Sequence, residues 1–316
     1  MVFSFGSAAP PPLTKPLSDA RPTVPPSKVE ALRAAVADLT ATAAGANMLR
    51  AYGGHPYAFE RFVIASKDAA DAETRFRATH SFRSSLGIDD SSTVAASRDP
   101  DLRGAELIKS GLVTAELVER ISPLWFGSYA GFSIDGSVIH YCRLRCDPSE
   151  LRHCCSEEEL RCFYVWWMEK QCALQNGRHG PGTAAPAWAG VIDVVDLAGF
   201  KFAWFDVASL QLLGRVLAVG QAHYPENLRC AYLLSVPSFF SAGWSIVSAV
   251  LSPKTRAKVG VLGDADVTQL ARRLERGEAR LQEIREGTPE ADHSDRDAPP
   301  RAAGPGWLGR CCACFS

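Results

Sequence analysis

The stretch running from residue 223 to residue 263, HYPENLRCAYLLSVPSFFSAGWSIVSAVLSPKTRAKVGVLG, decides the fold. From Cys230 to Leu251 it carries 22 residues without a charge, long enough for a transmembrane helix. Pro237 and five serines (235, 238, 241, 245 and 248) interrupt it, although neither feature alone excludes a span. Proline disfavours helix in the residue before it, which favours a strand up to Val236 and a new helix after Pro237. In that helix Ser238, Ser241, Ser245 and Ser248 share one face, and Phe240, Trp244, Val247 and Leu251 line a neighbouring apolar face. Strand plus amphipathic helix is the expectation, and a membrane span is its rival.

Composition bounds the rest. A chain of 316 residues, 47% hydrophobic and with a net charge of −1, has room for one large domain with appendages. It offers no global basic field for nucleic acid. Met-Val-Phe-Ser-Phe-Gly-Ser lacks both a basic signal-peptide start and a glycine at position 2 for myristoylation. Ten scattered cysteines show no disulfide framework and point to a reduced, cytosolic compartment. Cys142, Cys146, His153, Cys154, Cys155 and Cys162 match no usual zinc spacing, so no metal is expected.

Residues 1–26 are a Pro-rich tail expected to be disordered. A capping box at Ser27 and Glu30 opens a helical segment, 27–87. Its stripe continues through Val29, Leu32, Val36 and Leu39; a later helix groups Ala72, Phe76, Thr79 and Arg83 on one side. Residues 87–101 read as a polar linker. Glu106 to Ile121 reads as helix, and Trp125 to Leu144 as strands about an Asp135-Gly136 turn. Ser156 and Glu159 cap a helix to about Gln175 whose aromatic face holds Phe163, Trp166 and Trp167. Val191 to Phe200 is a buried strand, and Val207, Leu210, Leu213 and Leu217 mark the next helix. Alternating strands and helices argue for an α/β layer fold. Residues 264–286 form a charged helix with Val267, Leu270, Leu274, Leu281 and Ile284 at heptad-like spacing, weakened at Gly277. It is suited to packing on the core or to pairing with a protein partner. Residues 287–316 form a second polar tail.

Three motifs, in order and at the right spacing, resemble the CRAL-TRIO lipid-binding family. They are His223-Tyr224-Pro225-Glu226, the apolar run to Pro237, and Leu251-Ser252-Pro253 followed by Lys258-Val259-Gly260-Val261-Leu262-Gly263. Arg61 to Lys67, Asp135-Gly136 and Asp196-Leu197-Ala198-Gly199 extend the resemblance over roughly 45–263. It implies an α/β domain, 101–263, whose sheet and flanking helices enclose an apolar pocket under a gate helix, 238–251. A small helical N-lobe precedes that domain. Phe239, Phe240, Trp244, Val247 and Leu251 would line or close the pocket; ordinary core packing is the alternative. In the phosphatidylinositol-binding branch the Glu and Lys matching Glu226 and Lys258 serve the headgroup site. A structural ion pair or two solvated residues remain open as alternatives. Ile64 and Ser66 replace two arginines of the family pattern, leaving Arg61 or Lys67 as substitutes. Where phosphatidylcholine binders of the family carry Ser, Thr and Tyr, this chain has Val191, Asp193 and His140, which puts choline-lipid exchange in doubt.

The implied function is non-enzymatic and without cofactor. One phospholipid, foremost phosphatidylinositol, would be bound and transferred at a membrane surface by a cytoplasmic, peripherally associated protein. A membrane-tethered adaptor with a degenerate lipid fold, or a carrier of a sterol- or tocopherol-like molecule, is the alternative. Near the C-terminus Cys311, Cys312 and Cys314, beside Trp307, Leu308, Arg310 and Phe315, suit reversible S-acylation. Two acyl chains would anchor the protein stably.

Overall fold

The computed structural model describes residues 23–90, 92–125, 127–143, 147–178, 190–204, 206–240 and 251–261, with single positions at 244, 248 and between 270 and 282. Five helices open the chain: α1 (Pro26–Ala35), α2 (Ala37–Thr40), α3 (Ala43–Ala51), α4 (Tyr57–Ala65) and α5 (Ala69–Ser85). The expected Ser27/Glu30 box does not form. Pro26 begins α1 with Pro25 as its cap, and Glu30 instead meets Arg33 at 2.6 Å. A proline ring pre-sets the first helical φ and removes an N–H that would lack a partner anyway. The stripe on α5 is as expected, with Ala72, Phe76, Thr79 and Arg83 all buried.

The segment 87–101 is no solvated linker. Ile88 and Asp89 are buried, and Ala96 and Ser97 pack inward before α6 (Pro100–Lys109) and α7 (Ala115–Ile121). The helix expected over 106–121 is therefore two, parted at Gly111, whose φ of +84° a side chain would resist.

A five-stranded sheet follows in the order β1 (Ser128–Phe132), β2 (Val138–Arg143), β3 (Val191–Asp196), β4 (Leu228–Leu234) and β5 (Val259–Val261). The first pair is antiparallel about the Asp135-Gly136 turn, and the other pairs are parallel. Parallel neighbours require crossovers. These are supplied by α8 (Ser149–Cys154) with α9 (Glu157–Arg178), then by α10 (Val207–His223). The Ser156/Glu159 capping box forms in both directions, with Glu159 N–H donating to Ser156 Oγ at 3.2 Å and Ser156 N–H to Glu159 Oε2 at 2.8 Å. On α10 the buried face is Ser209, Leu212, Gly214, Val216, Val219 and Gly220, while Val207 is exposed. Close approach sets this face. A β-carbon on Gly220 would lie 2.3 Å from the Tyr164 hydroxyl.

The Cys230–Leu251 run is not a membrane helix. Its first five residues lie in β4, and among the described residues no helix is long and apolar enough to cross a membrane. One sheet face, including Ile139, Tyr141, Ile192, Val194, Cys230 and Tyr232, packs against Leu270, Ala271, Leu274 and Leu281. The sheet thus takes up these apolar positions of 264–286, and the rest of that segment is outside the described residues.

A second cluster joins α1, α3, α4 and α5 to α9 and α10 without a break. Inside it lies an ionic network. Arg83 Nη2 donates to Asp89 at 2.7 Å, and Arg83 Nη1 to Glu169 at 2.5 Å; Arg103 Nη2 donates to Glu169 at 2.6 Å. Burial pushes the Glu169 carboxyl up, but Arg83 and Arg103 outweigh it and pull it down to about 2. A folded-state pKa held below the unfolded one contributes stability that is complete above the unfolded value and lost as pH falls through the folded one. Stability should therefore decline from about pH 4.5 to about pH 2, and Glu169→Gln should flatten that decline in urea titrations. Arg83→Met takes from Asp89 its close cation and leaves Glu169 to Arg103 alone, and should cost about 3–5 kcal/mol at pH 7.

Candidate functional site

The turn after α10 is fixed at every residue from 223 to 227. The Tyr52 hydroxyl donates to the His223 carbonyl at 2.6 Å, and the His223 ring stacks on Phe82 at 3.9 Å. The Tyr224 hydroxyl donates to Glu169 Oε1 at 2.8 Å. Arg61 Nε donates to the Pro225 carbonyl at 2.8 Å. Asn227 is held at both ends of its amide, accepting from Gln175 at 3.0 Å and donating to Gln171 at 3.1 Å. Glu226, in the middle, takes a left-handed backbone with φ +53°, a conformation uncommon for a side chain of this size.

Two lysines meet the Glu226 carboxylate. Lys258, at the start of β5, donates to Oε2 at 3.0 Å and to the Leu228 carbonyl at 2.6 Å. Lys254, in the one-turn helix α11 (Pro253–Arg256), reaches Oε1 at 2.5 Å and the Ile64 carbonyl at 2.7 Å. Glu226 is 16% exposed, Lys258 22% and Lys254 48%. Burial raises the Glu226 pKa, yet Lys258 and then Lys254 outweigh it and hold the carboxyl below its ordinary range. The cluster is a half-buried charged rim whose cations could turn toward an incoming anion.

The sequence-named residues divide here. Glu226 and Lys258 come together. Arg61 is fully buried, 4.6 Å from the Tyr52 ring centroid, and clamps the turn from behind. Lys67 is exposed, and its backbone N–H donates to Asp71 rather than joining the cluster. Lys254 was not singled out from the sequence. No local spacing marked it, because Lys258 lies beyond the end of its one-turn helix.

At the other end of β4, Phe240 is buried with Leu197, Phe200, Leu233 and Val261, while Phe239 and Trp244 are half-buried at the edge of this cluster. The Phe240 and Trp244 rings lie 6.1 Å apart. Leu251 is half-buried; Val247, Cys311, Cys312 and Cys314 lie outside the described residues. Asp193 is at neither a turn nor a sheet edge. It sits in the central strand β3, with its Oδ1 2.9 Å from His140 Nδ1 on β2. Among the described residues no group of three or more His, Cys, Asp or Glu is arranged to hold a metal.

This architecture, a mostly parallel sheet with a helical lobe packed against its crossover helices, is that of a known domain class. Residues 125–279 match the CRAL/TRIO domain, and the chain carries a domain of that family. The phosphatidylinositol/phosphatidylcholine transfer protein SFH9 of Arabidopsis thaliana is 24% identical over 154 residues, which is 46% of this chain and 25% of that protein. SFH12, a phosphatidylinositol/phosphatidylcholine transfer protein of the same plant, is 31% identical over 85 residues, 27% of this chain and 16% of that protein. The chain thus spans a quarter or less of the length of these two relatives. The crystal structure of Sfh5 shares the fold, with a TM-score of 0.55 at 14% identity over 78% of this chain and 82% of that one.

Carbon-detected titration of Glu226 should give a pKa below the ordinary glutamate range. Lys258→Met and Lys254→Met should each raise it, because the burial contribution then meets less opposing charge.

Proposed function

We propose that this chain binds one phospholipid, foremost phosphatidylinositol, and transfers or presents it at a membrane surface without catalysing a reaction. The observation that carries this is the arrangement along β4. The charged rim of Glu226, Lys258 and Lys254 lies at one end and the Phe240 cluster at the other. The rim meets β4 at Leu228, and the cluster takes Leu233 and Val261 farther along the same strand pair, so a headgroup held at the rim would have apolar surface a few residues away. The names of the plant relatives support the same cargo class.

In this mechanism the segment 238–251 is the gate. It opens at the membrane, and the acyl chains exchange bilayer for pocket at little net cost, since each methylene would lose about 0.8 kcal/mol if left in water. Lys258 turns to the headgroup phosphate, because an unpaired charge in a low-dielectric site is costly. Glu226 accepts hydrogen bonds from the inositol hydroxyls. Residues 101–263 would form the lipid-binding unit and 27–87 its helical N-lobe, with Cys311, Cys312 and Cys314 as acylation sites for peripheral attachment on the cytoplasmic side.

Mass spectrometry of lipid extracted from the natively purified full chain tests the cargo. Stoichiometric phosphatidylinositol is the expected result. Another lipid would keep the carrier and discard the headgroup assignment, and no lipid in folded protein would favour a tethered adaptor. Lys258→Ala should weaken phosphatidylinositol binding by about 2 kcal/mol or more, roughly thirtyfold. It should leave the fold intact, since Glu226 keeps Lys254. Unchanged transfer by that variant would remove Lys258 from the site.

A further inference from the structure

We propose that Lys254 is the positioning cation of the headgroup site: it holds Glu226 in place and neutralised when Lys258 leaves Glu226 for a lipid phosphate. This rests on the phosphatidylinositol cargo proposed above and assigns a residue beyond it.

The two oxygens of Glu226 are divided between two lysines, Oε1 to Lys254 and Oε2 to Lys258. The second contact of each lysine sets its freedom. Lys258 is otherwise tied to Leu228, its own sheet neighbour, at the mouth of β4. Lys254 is otherwise tied to the Ile64 carbonyl at the end of α4, so it bridges the helical lobe and the sheet domain. Arg61 adds to the field at Glu226 from behind, but its Nε is committed to Pro225.

Charge counting then separates the roles of the two lysines. With Lys258 alone, an arriving phosphodiester would bring a second anion to a half-buried carboxylate that shares its one cation. The site would go from neutral to −1, and like charges a few ångströms apart in a partly desolvated site repel strongly. These counts take only the contacting groups; Arg61 behind the turn adds the same positive charge to each case, and with both lysines the contacting cluster goes from +1 empty to neutral loaded. Lys254 lets Lys258 move without stranding Glu226, and the Ile64 carbonyl keeps Lys254 on the Oε1 side while it does so. Lys254 therefore acts on the lipid through Glu226 and not by contact.

The test is a double-mutant cycle on the full chain, read as transfer of fluorescent phosphatidylinositol between phosphatidylcholine vesicles. Lys254→Met should weaken apparent affinity about tenfold with Glu226 present, and less than twofold in a Glu226→Gln background, because coupling is confined to groups that share partners. Lys254→Arg should recover most of the loss. Lys254 is 48% exposed, so melts of Lys254→Met and Lys254→Arg should overlay that of the parent, and the double variant should melt with Glu226→Gln. Equal losses in both backgrounds would make Lys254 a direct lipid contact and overturn the inference. So would full affinity in Lys254→Met. If the parent protein takes up no phosphatidylinositol, the cargo proposal fails and this inference with it; parent transfer with equal losses removes the Lys254 role alone.

Discussion

Arg83 is a guanidinium with no exposed surface, gripping two carboxylates, and the rest of the molecule is arranged about that fact. Its partners come from three places: Asp89 just beyond α5, Glu169 in the middle of α9, and the Tyr52 hydroxyl beyond α3. Arg103 adds a second cation from α6. The desolvation of four charges is expensive, and an apolar cluster of the same volume could be as stable. Direction is what an apolar cluster would not supply. The forked donors of arginine accept carboxylates only in the plane of the fork, so rotation or sliding of α5 against α9 breaks bonds that cannot be remade nearby. Unlike a greasy contact, the network has one register.

That register reaches the site through Glu169. The same carboxylate that receives Arg83 and Arg103 accepts the Tyr224 hydroxyl, and Tyr52, which meets Arg83, also holds the His223 carbonyl. With Arg61 on Pro225 and the two glutamines on Asn227, the turn is gripped from both helical layers. Such a grip is required. A non-glycine residue at positive φ costs of order 1–3 kcal/mol, and it persists only where its surroundings over-determine it. Glu226 at φ +53° is that residue, and the result is a carboxylate aimed between α11 and β5 rather than left free in solvent.

Local periodicity carried much of the fold into the sequence. The Ala72, Phe76, Thr79 and Arg83 stripe, the Ser156/Glu159 box and the Asp135-Gly136 turn each depend on neighbours within a few residues, and each was legible. What failed to show depends on distant partners. Asp89 sits among polar, turn-forming residues that read as a linker, and only Arg83, with Arg103 at 4.0 Å, explains its burial. On α10 Leu213 and Leu217 pack half-buried against the core and Val207 is exposed, while the fully buried face adds Gly214 and Gly220, because the Tyr164 hydroxyl leaves no space for a side chain at Gly220. Of the site, motif order named Glu226 and Lys258. Arg61 was named with them but lies behind the turn, and Lys254 needed a contact to Ile64, 190 positions away in the chain.

Between the charged rim and the Phe240 cluster the sheet is not uniformly apolar, and this bears on how the proposed cargo would lie. Alternation along β3 puts Asp193 on the same face as Val195, which packs against the Phe240 cluster. Its carboxylate keeps company with His140, which in turn lies against the Trp167 ring of α9, 5.3 Å between centroids. A phosphate brought beside Asp193 would face a carboxylate whose described partner is one imidazole, whereas at the rim it would face Lys258 beside a carboxylate that Lys254 neutralises. The difference in local charge favours the rim for the anionic part of the proposed lipid and leaves the neighbourhood of Asp193 to a hydrogen-bond donor. For the proposed cargo, the charge at Asp193 and the charge at the rim therefore favour the same orientation, headgroup toward Glu226.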